Sequence, residues 1–136
     1  MKSKKQNRIK QLGEVFTPPE LVNEILDQLP EEIWQEHKTF CDPSAGNGNF
    51  LVEIYKRKVE KYGHHPVKAL MTLYGVEIME DNVIECQARL LQLARKYLGE
   101  KYNKYRIRIL KTLKKNIVCA DALKYDFSFK LPQKNK

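Results

Sequence analysis

Three short stretches of the chain carry residues whose types and spacing suit ligand binding. In the turn Asp42–Gly48, Gly46 and Gly48 let the backbone approach a ligand closely. A glycine turn between a strand and a helix presents backbone N–H groups, which favour an anionic or carboxylate-bearing ligand. Glu77 follows a second apolar stretch, where a carboxylate is placed to accept hydrogen bonds from ribose hydroxyls. Asp121 follows a third and could accept a hydrogen bond from an exocyclic amine.

Each of these features also has a purely structural interpretation. Tight turns between a strand and a helix need glycine in any case, and a carboxylate such as Glu77 often stands at the entry to a helix. Asp121 could be a simple turn residue. All three groups, however, follow predicted strands, and ligands bind at the carboxyl ends of the strands in open α/β sheets. Their order and placement together therefore indicate a binding site.

The elements that must position these groups are predicted from apolar periodicity and from capping and turn residues. In chain order they are a helix entered at Thr17 and ended by Pro30, a strand at Thr39–Cys41, a helix from Phe50 to Tyr62 closed by Gly63, a loop at His64–Pro66, a strand at Leu73–Val76, a helix capped by Asp81 or Asn82, a basic stretch 95–115 that is helical in part, and a strand from Asn116 to Cys119. Strands that alternate with helices predict an α/β fold with a parallel sheet. We expect one domain, residues 13–136, preceded by a basic flexible arm, residues 1–12.

The chain of 136 residues has a formal net charge of +8, and its basic residues are unevenly distributed. They concentrate in residues 1–10, 95–115 and 130–136, whereas the rest of the chain is acidic. Basic segments beside an acidic body indicate a polyanionic partner, usually nucleic acid. The alternative is solvated tails and a solvated helix face. The residues expected to contact DNA are Lys101, Lys104, Arg106 and Arg108.

Several classes of protein are excluded or disfavoured by what the sequence lacks. No apolar run approaches the roughly 20 residues of a membrane span, and no apolar segment follows the basic N-terminus as in a secretory signal. Cys41, Cys86 and Cys119 are scattered without CxxC spacing, which disfavours a disulfide scaffold or a zinc site and fits the cytoplasm. His64 and His65 are adjacent and do not share a face, so no metal site is expected.

Four motifs carry a resemblance to a known family. They are Val15–Glu20 (VFTPPE), Asp42–Leu51 (DPSAGNGNFL), Tyr74–Ile78 (YGVEI) and Asn116–Leu123 (NIVCADAL). In this order the chain, over residues 13–125, resembles the N-terminal, cofactor-binding portion of the N6-adenine DNA methyltransferases of restriction–modification systems. The resemblance implies a Rossmann-like class I methyltransferase sheet that binds S-adenosylmethionine. With only about three parallel strands, that sheet would be incomplete.

The resemblance also implies a role for individual residues. Thr17 and the Asp42–Gly48 turn would hold the methionine moiety, and Glu77 would take the ribose hydroxyls. Ile78 would pack against the adenine ring, and Asp121 would accept from its amino group. The implied cofactor-binding residues are Thr17, Asp42, Ser44, Ala45, Gly46, Gly48, Glu77, Ile78, Asp121 and Ala122.

The sequence departs from the family in one respect. The family's Asn-Pro-Pro-Tyr motif, whose aromatic residue stacks on the flipped-out base, does not occur after Asp121. No catalytic residue is therefore assigned. The first strand, which is central in the family, would be an edge here, and an exposed edge invites pairing. We expect self-association, a second polypeptide that supplies the rest, or a segment from residues 123–136 that covers this edge. Phe127 and Phe129 alternate with Ser128 and Lys130, so they could form a covering strand.

Three functional hypotheses follow. The first is a truncated enzyme, or one part of a split enzyme, that transfers a methyl group to adenine N6 in DNA. The second is a non-catalytic DNA-binding or regulatory module built on the methyltransferase fold. The third is a decayed gene fragment, against which the intact glycine turn, Glu77 and Asp121 argue.

Overall fold

The structure is a computed structural model that describes residues 16–131. Its helices and strands are α1 (Pro19–Asp27), β1 (Phe40–Asp42), α2 (Asn49–Lys56), α3 (Pro66–Met71), β2 (Leu73–Glu77), α4 (Glu80–Leu98), α5 (Tyr102–Asn116) and β3 (Ile117–Cys119). Short 3₁₀ turns lie at Glu31–Trp34 and Gly99–Lys101, and α2 continues as a π-helix over Arg57–Lys61. The predicted basic arm, residues 1–12, lies outside the described residues.

The strands form one parallel sheet in the order β1-β2-β3. Asp42 pairs with Gly75, which pairs on its other side with Ile117, and Glu77 pairs with Cys119. The parallel α/β class is confirmed, and the sheet is consistent with an incomplete Rossmann-like methyltransferase sheet. β1 is an edge strand within the part of the chain that the structure describes, as predicted.

The predicted helix boundaries need several corrections. The loop expected at His64–Pro66 ends one residue early, because Pro66 opens α3 and the His65 Nδ1 accepts the Val67 N–H at 3.1 Å. The capping residue of α1 is Pro18, not Thr17, and no side chain caps that helix. The predicted cap of α4 at Asp81 or Asn82 is also wrong, since Met79 occupies that position.

The hydrophobic core lies between one face of the sheet and the helices. Gly75 lies at the middle of β2, where an added Cβ would meet the Leu51 Cδ1 at 2.9 Å and the Ala45 Cβ at 3.1 Å. Glycine is therefore required where α2 and the turn that precedes it press onto the sheet. Trp34 stacks on Tyr62 with ring centroids 5.5 Å apart and closes the core beside α2.

The opposite face of the sheet carries Cys41, Tyr74 and Val76, and the chain after β3 reaches it. The Phe129 ring packs on Tyr74 with centroids 4.8 Å apart. The covering strand expected along the edge of β1 is not formed by residues 123–131, which contain no strand, and residues 132–136 lie outside the described part. Phe127 and Phe129 have φ of 56° and 47°, values incompatible with an extended strand.

Lys58 is a lysine with no exposed surface, placed in the π-helical turn. Its Nζ donates to the Lys38 carbonyl and to the Thr72 Oγ1, both at 2.7 Å, and lies 5.1 Å from the centroid of the Phe40 ring. Burial lowers the pKa of Lys58 to about 8. The Lys58 ammonium thus bonds both to Lys38, which precedes β1, and to Thr72, which precedes β2.

Replacement of Lys58 by Met should change how stability depends on pH. The unfolded chain binds more protons than the folded one between pH 8 and 10.5, because the folded pKa is lowered from 10.5 to about 8. The free energy of unfolding of the wild type, relative to Lys58→Met, should therefore rise across that window by up to ~3 kcal/mol. Urea unfolding at four pH values measures this, with Lys61→Met, an exposed lysine, as control. Parallel profiles for wild type and Lys58→Met would contradict the lowered pKa.

Candidate functional site

The turn between β1 and α2 is held by backbone hydrogen bonds. The Ala45 N–H donates to the Val76 carbonyl at 3.0 Å, and the Gly48 N–H donates to the Ala45 carbonyl at 2.9 Å. Gly46 and Gly48 have φ of 57° and 96°, in the left-handed region that favours glycine. Gly48 is the residue that caps α2. The turn is thus fixed to β2 on one side and to α2 on the other.

Glu77, at the end of β2, is only 8% exposed and joins the turn to α4. Its Oε1 accepts the Gly46 N–H at 3.1 Å, and its Oε2 accepts the Met79 N–H at 2.8 Å and the Asn82 Nδ2 at 3.3 Å. A carboxylate offers about four acceptor positions. Among the described residues, these three bonds leave one acceptor position open, on Oε1.

A hollow of about 270 Å³ opens beside the turn. It is lined by Phe16, Thr17, Asp42, Ser44, Ala45, Gly46, Asn47, Asn49 and Phe50. Five of the predicted cofactor-binding residues therefore meet here. The Thr17 carbonyl accepts the Asn49 Nδ2 at 2.7 Å, which fixes the residue before α1 to the start of α2.

The hollow is lined by the carboxylate of Asp42, and four backbone donors of the turn are bonded within the protein. The Ser44 N–H donates to the Asp42 Oδ1 at 3.0 Å, and Ala45, Gly46 and Gly48 donate to the acceptors described above. In these four residues, the N–H groups expected to favour an anionic or carboxylate-bearing ligand thus bond to acceptors of the protein. Burial, together with the nearby charge of Glu77, raises the pKa of Asp42.

Arg89 of α4 forms hydrogen bonds with the turn and with the first residue of α2. Its guanidinium donates to the Asn47 carbonyl at 3.0 Å and to the Asn49 Oδ1 at 2.7 Å. Asn49 in turn holds Thr17, so one side chain of α4 positions both ends of the hollow. Sequence reasoning gave no role to Arg89 or Asn49, since only the fold brings α4 beside the turn.

Three other predicted cofactor residues, Ile78, Asp121 and Ala122, do not line the hollow. Ile78 is 62% exposed just after β2. The Asp121 Oδ1 accepts the Leu123 N–H at 2.9 Å, and Ala122 is half-buried beside it. The Ala120 N–H donates to the Glu77 carbonyl at 3.0 Å, so Asp121 and Ala122 follow β3 close to Glu77. Glu77 thus bonds to the glycine turn through its side chain and to the segment after β3 through its backbone.

The four predicted DNA-contact residues are all exposed. Lys101 lies in the 3₁₀ turn before α5, and the other three lie on α5. At 3.6 residues per turn, Lys104 and Arg108 share a side of the helix, whereas Arg106 projects nearly opposite. The structure therefore separates Arg106 from the others.

Among the helices of residues 16–131, none combines the length and the apolar character that a membrane span requires. Nor do three or more His, Cys, Asp or Glu side chains of the range gather closely enough to hold a metal ion.

Comparison with known proteins decides the family. The sequence profile of the N-6 DNA Methylase family matches residues 1–125. The chain belongs to this family. It is also similar to the Type II methyltransferase M.VspI of Vibrio sp. (strain 343), with 36% identity over 81 residues. No solved structure gives a significant match.

The match to M.VspI is partial on both sides. It covers 60% of this chain but only 17% of the relative. The matched part of this N-6 DNA methylase family member thus corresponds to a small part of that enzyme. The family nevertheless supports a methyltransferase-like function for the region that contains the glycine turn.

Substitution of Gly48 by Ala should destabilise the fold through a specific contact. The added Cβ would lie 2.7 Å from the Cys86 Sγ, at a φ of +96°. We expect the free energy of unfolding to fall by about 2–4 kcal/mol, measured by denaturant titration. Gly63→Ala is the matched control: its φ is +69° and no atom lies within 4 Å, so only the backbone cost of ~1–2 kcal/mol applies.

The double variant Gly48→Ala/Cys86→Ala separates the contact from the backbone strain. Removal of the sulfur should recover part of the loss caused by Gly48→Ala, with a coupling energy of about 1 kcal/mol or more. Equal losses for Gly48→Ala and Gly63→Ala, with no coupling to Cys86, would contradict this packing of the turn on α4.

Proposed function

We propose that this chain is the S-adenosylmethionine-binding part of a DNA methyltransferase that modifies adenine N6. The observation that carries the proposal is the Glu77 carboxylate. It accepts the Gly46 N–H of the glycine turn, beside a hollow that Asp42 lines. The family match supports the reaction class. The cofactor supplies a methyl group that is activated on a sulfonium. The residues of this chain bind and orient it.

The charge and polarity of the hollow fit a cationic ligand. S-adenosylmethionine carries positive charge on its ammonium and sulfonium groups, and Asp42 and Glu77 place two carboxylates at the turn. Asn47 also lines the hollow, and its buried Oδ1 has no hydrogen-bond partner among the described residues. Thr17 and the residues from Asp42 to Gly48 would hold the methionine moiety.

The second group of residues would hold the nucleoside moiety. The remaining acceptor position of the Glu77 Oε1 suits a ribose hydroxyl. The exposed Ile78 side chain offers an apolar surface for the adenine ring, and Asp121 offers a carboxylate for its amino group. The Ala122 backbone would lie beside that group.

Catalysis needs groups that this sequence does not contain. No Asn-Pro-Pro-Tyr motif follows Asp121 to hold the target amine. We propose that a second polypeptide completes the sheet at β1 and supplies this half, so that the chain is a truncated or split enzyme acting on DNA in the cytoplasm.

Titration calorimetry with S-adenosylmethionine tests the cofactor proposal. We expect saturable binding, weakened about tenfold or more by Glu77→Gln, because an amide oxygen replaces a charged acceptor while the side-chain shape is kept. Glu80→Gln, an exposed carboxylate at the start of α4, is the matched control and should leave the affinity unchanged. Absence of binding to the folded wild type would overturn the proposal. Equal affinity for Glu77→Gln and wild type would remove Glu77 from the site.

Asp42→Asn should separate binding from stability. Burial disfavours the charged carboxylate, so its loss should raise the melting temperature by a few degrees at pH 7, while Asn retains an oxygen for the Ser44 N–H. The affinity for S-adenosylmethionine should fall about tenfold through loss of the charge.

The stability difference between wild type and Asp42→Asn should also depend on pH. Because the folded pKa is raised above 3.8, the wild type should lose stability relative to the variant as the pH rises through that raised value. Thermal melts from pH 3 to 7 measure this difference. A variant that is less stable at every pH would show that the Asp42 charge supports the fold instead.

A further inference from the structure

Four basic residues of α5 form a continuous ridge. Lys104, Arg108, Lys111 and Lys115 are spaced by four, three and four residues, which places them on one side of the helix. The ridge is about 16 Å long. Arg108, Lys111 and Lys115 line one cavity with Leu131, which confirms that they share a surface.

The positive charge of this ridge is uncompensated within the described part of the chain. The sequence of α5, from Tyr102 to Asn116, contains no acidic residue. The ion pairs formed among residues 16–131 join Lys56 to Glu53, Arg57 to Asp27 and Lys68 to Glu36, none of them on α5.

The ridge is also held rigidly, because the opposite side of α5 is anchored in the core. Ile109 has no exposed surface, and the Asn116 Nδ2 donates to the Met71 carbonyl at 3.3 Å. The Gln87 Nε2 of α4 donates to the carbonyls of Leu113 and Ile117 at 3.2 and 3.0 Å. A fixed helix lowers the entropic cost of presenting its cations to a partner.

The ridge lies away from the cofactor hollow. α5 leads directly into the amino end of β3, and Lys115 lines a cavity with Thr39 and Tyr74, near the starts of β1 and β2. The hollow, in contrast, follows the carboxyl end of β1 and shares no residue with the ridge. A partner bound to the ridge would therefore leave the hollow open.

We propose that this ridge binds the phosphate backbone of double-stranded DNA as a contact separate from the cofactor site. Charge complementarity carries the proposal: a fixed helix presents four aligned cations, which form no ion pair among residues 16–131, to a polymer with one phosphate per ~3.4 Å of each strand. The choice of duplex DNA over other polyanions rests on the proposed function. The contact binds flanking DNA by charge and contributes no recognition of the target base.

Fluorescence anisotropy with a labelled 20-base-pair duplex tests the ridge. The variant Arg108→Gln/Lys111→Gln removes two ridge charges. The matched control, Arg106→Gln/Lys114→Gln, removes one Arg and one Lys outside the ridge, since Lys114 lines the separate groove between α4 and α5. The ridge variant should bind about tenfold more weakly at low salt, and its slope of log affinity against log salt should be smaller by about 1.8. The control should retain most of the wild-type slope.

Two outcomes would overturn the proposal. Equal losses in the ridge and control variants would show that net charge alone matters. Tighter binding of single-stranded RNA than of the duplex, with the same loss in the ridge variant, would assign the ridge to another polyanion. Titration of the ridge variant with S-adenosylmethionine keeps the two proposals distinguishable, because its affinity for the cofactor should equal that of the wild type.

Discussion

The fold of the site depends on one buried carboxylate. Glu77 accepts hydrogen bonds from Gly46, Met79 and Asn82, and so joins the turn after β1 to the start of α4. A buried carboxylate is tolerated only when it is hydrogen-bonded, and bonds to a charged acceptor are stronger than neutral ones. The same side chain therefore fixes the local fold and leaves one acceptor position for a ligand.

The use of backbone donors within the turn decides which charge the site prefers. A phosphate-binding turn leaves its N–H groups unpaired for the anion. Here Ser44, Ala45, Gly46 and Gly48 donate to protein acceptors, and Asp42 lies beside them with a raised pKa. These four donors are therefore not available to an anion, and the carboxylate of Asp42 lies beside them. The glycines in the sequence did not indicate whether the N–H groups of the turn are bonded within the protein or open to a ligand.

Local sequence signals predicted the strands, their parallel arrangement and the position of Glu77, because burial and chain order determine these features. They failed where tertiary contacts decide. The six residues of α3 are too few for a periodic signal. Phe127 and Phe129 adopt positive φ and pack on Tyr125, a contact that the alternating pattern does not indicate. The support that Arg89 gives to the turn follows only from the position of α4.

The described sheet leaves β1 accessible for completion. Within residues 16–131, β1 pairs only with β2, so its other edge has no strand beside it. The segment after β3 covers the face around Tyr74 through aromatic contacts and does not join the sheet. An additional strand would therefore pair with β1 without displacing an existing one. If it ran parallel to β1, it would end beside Asp42 and the hollow, because parallel strands end at the same edge. In the proposed enzyme, the groups that act on the methyl acceptor would lie there.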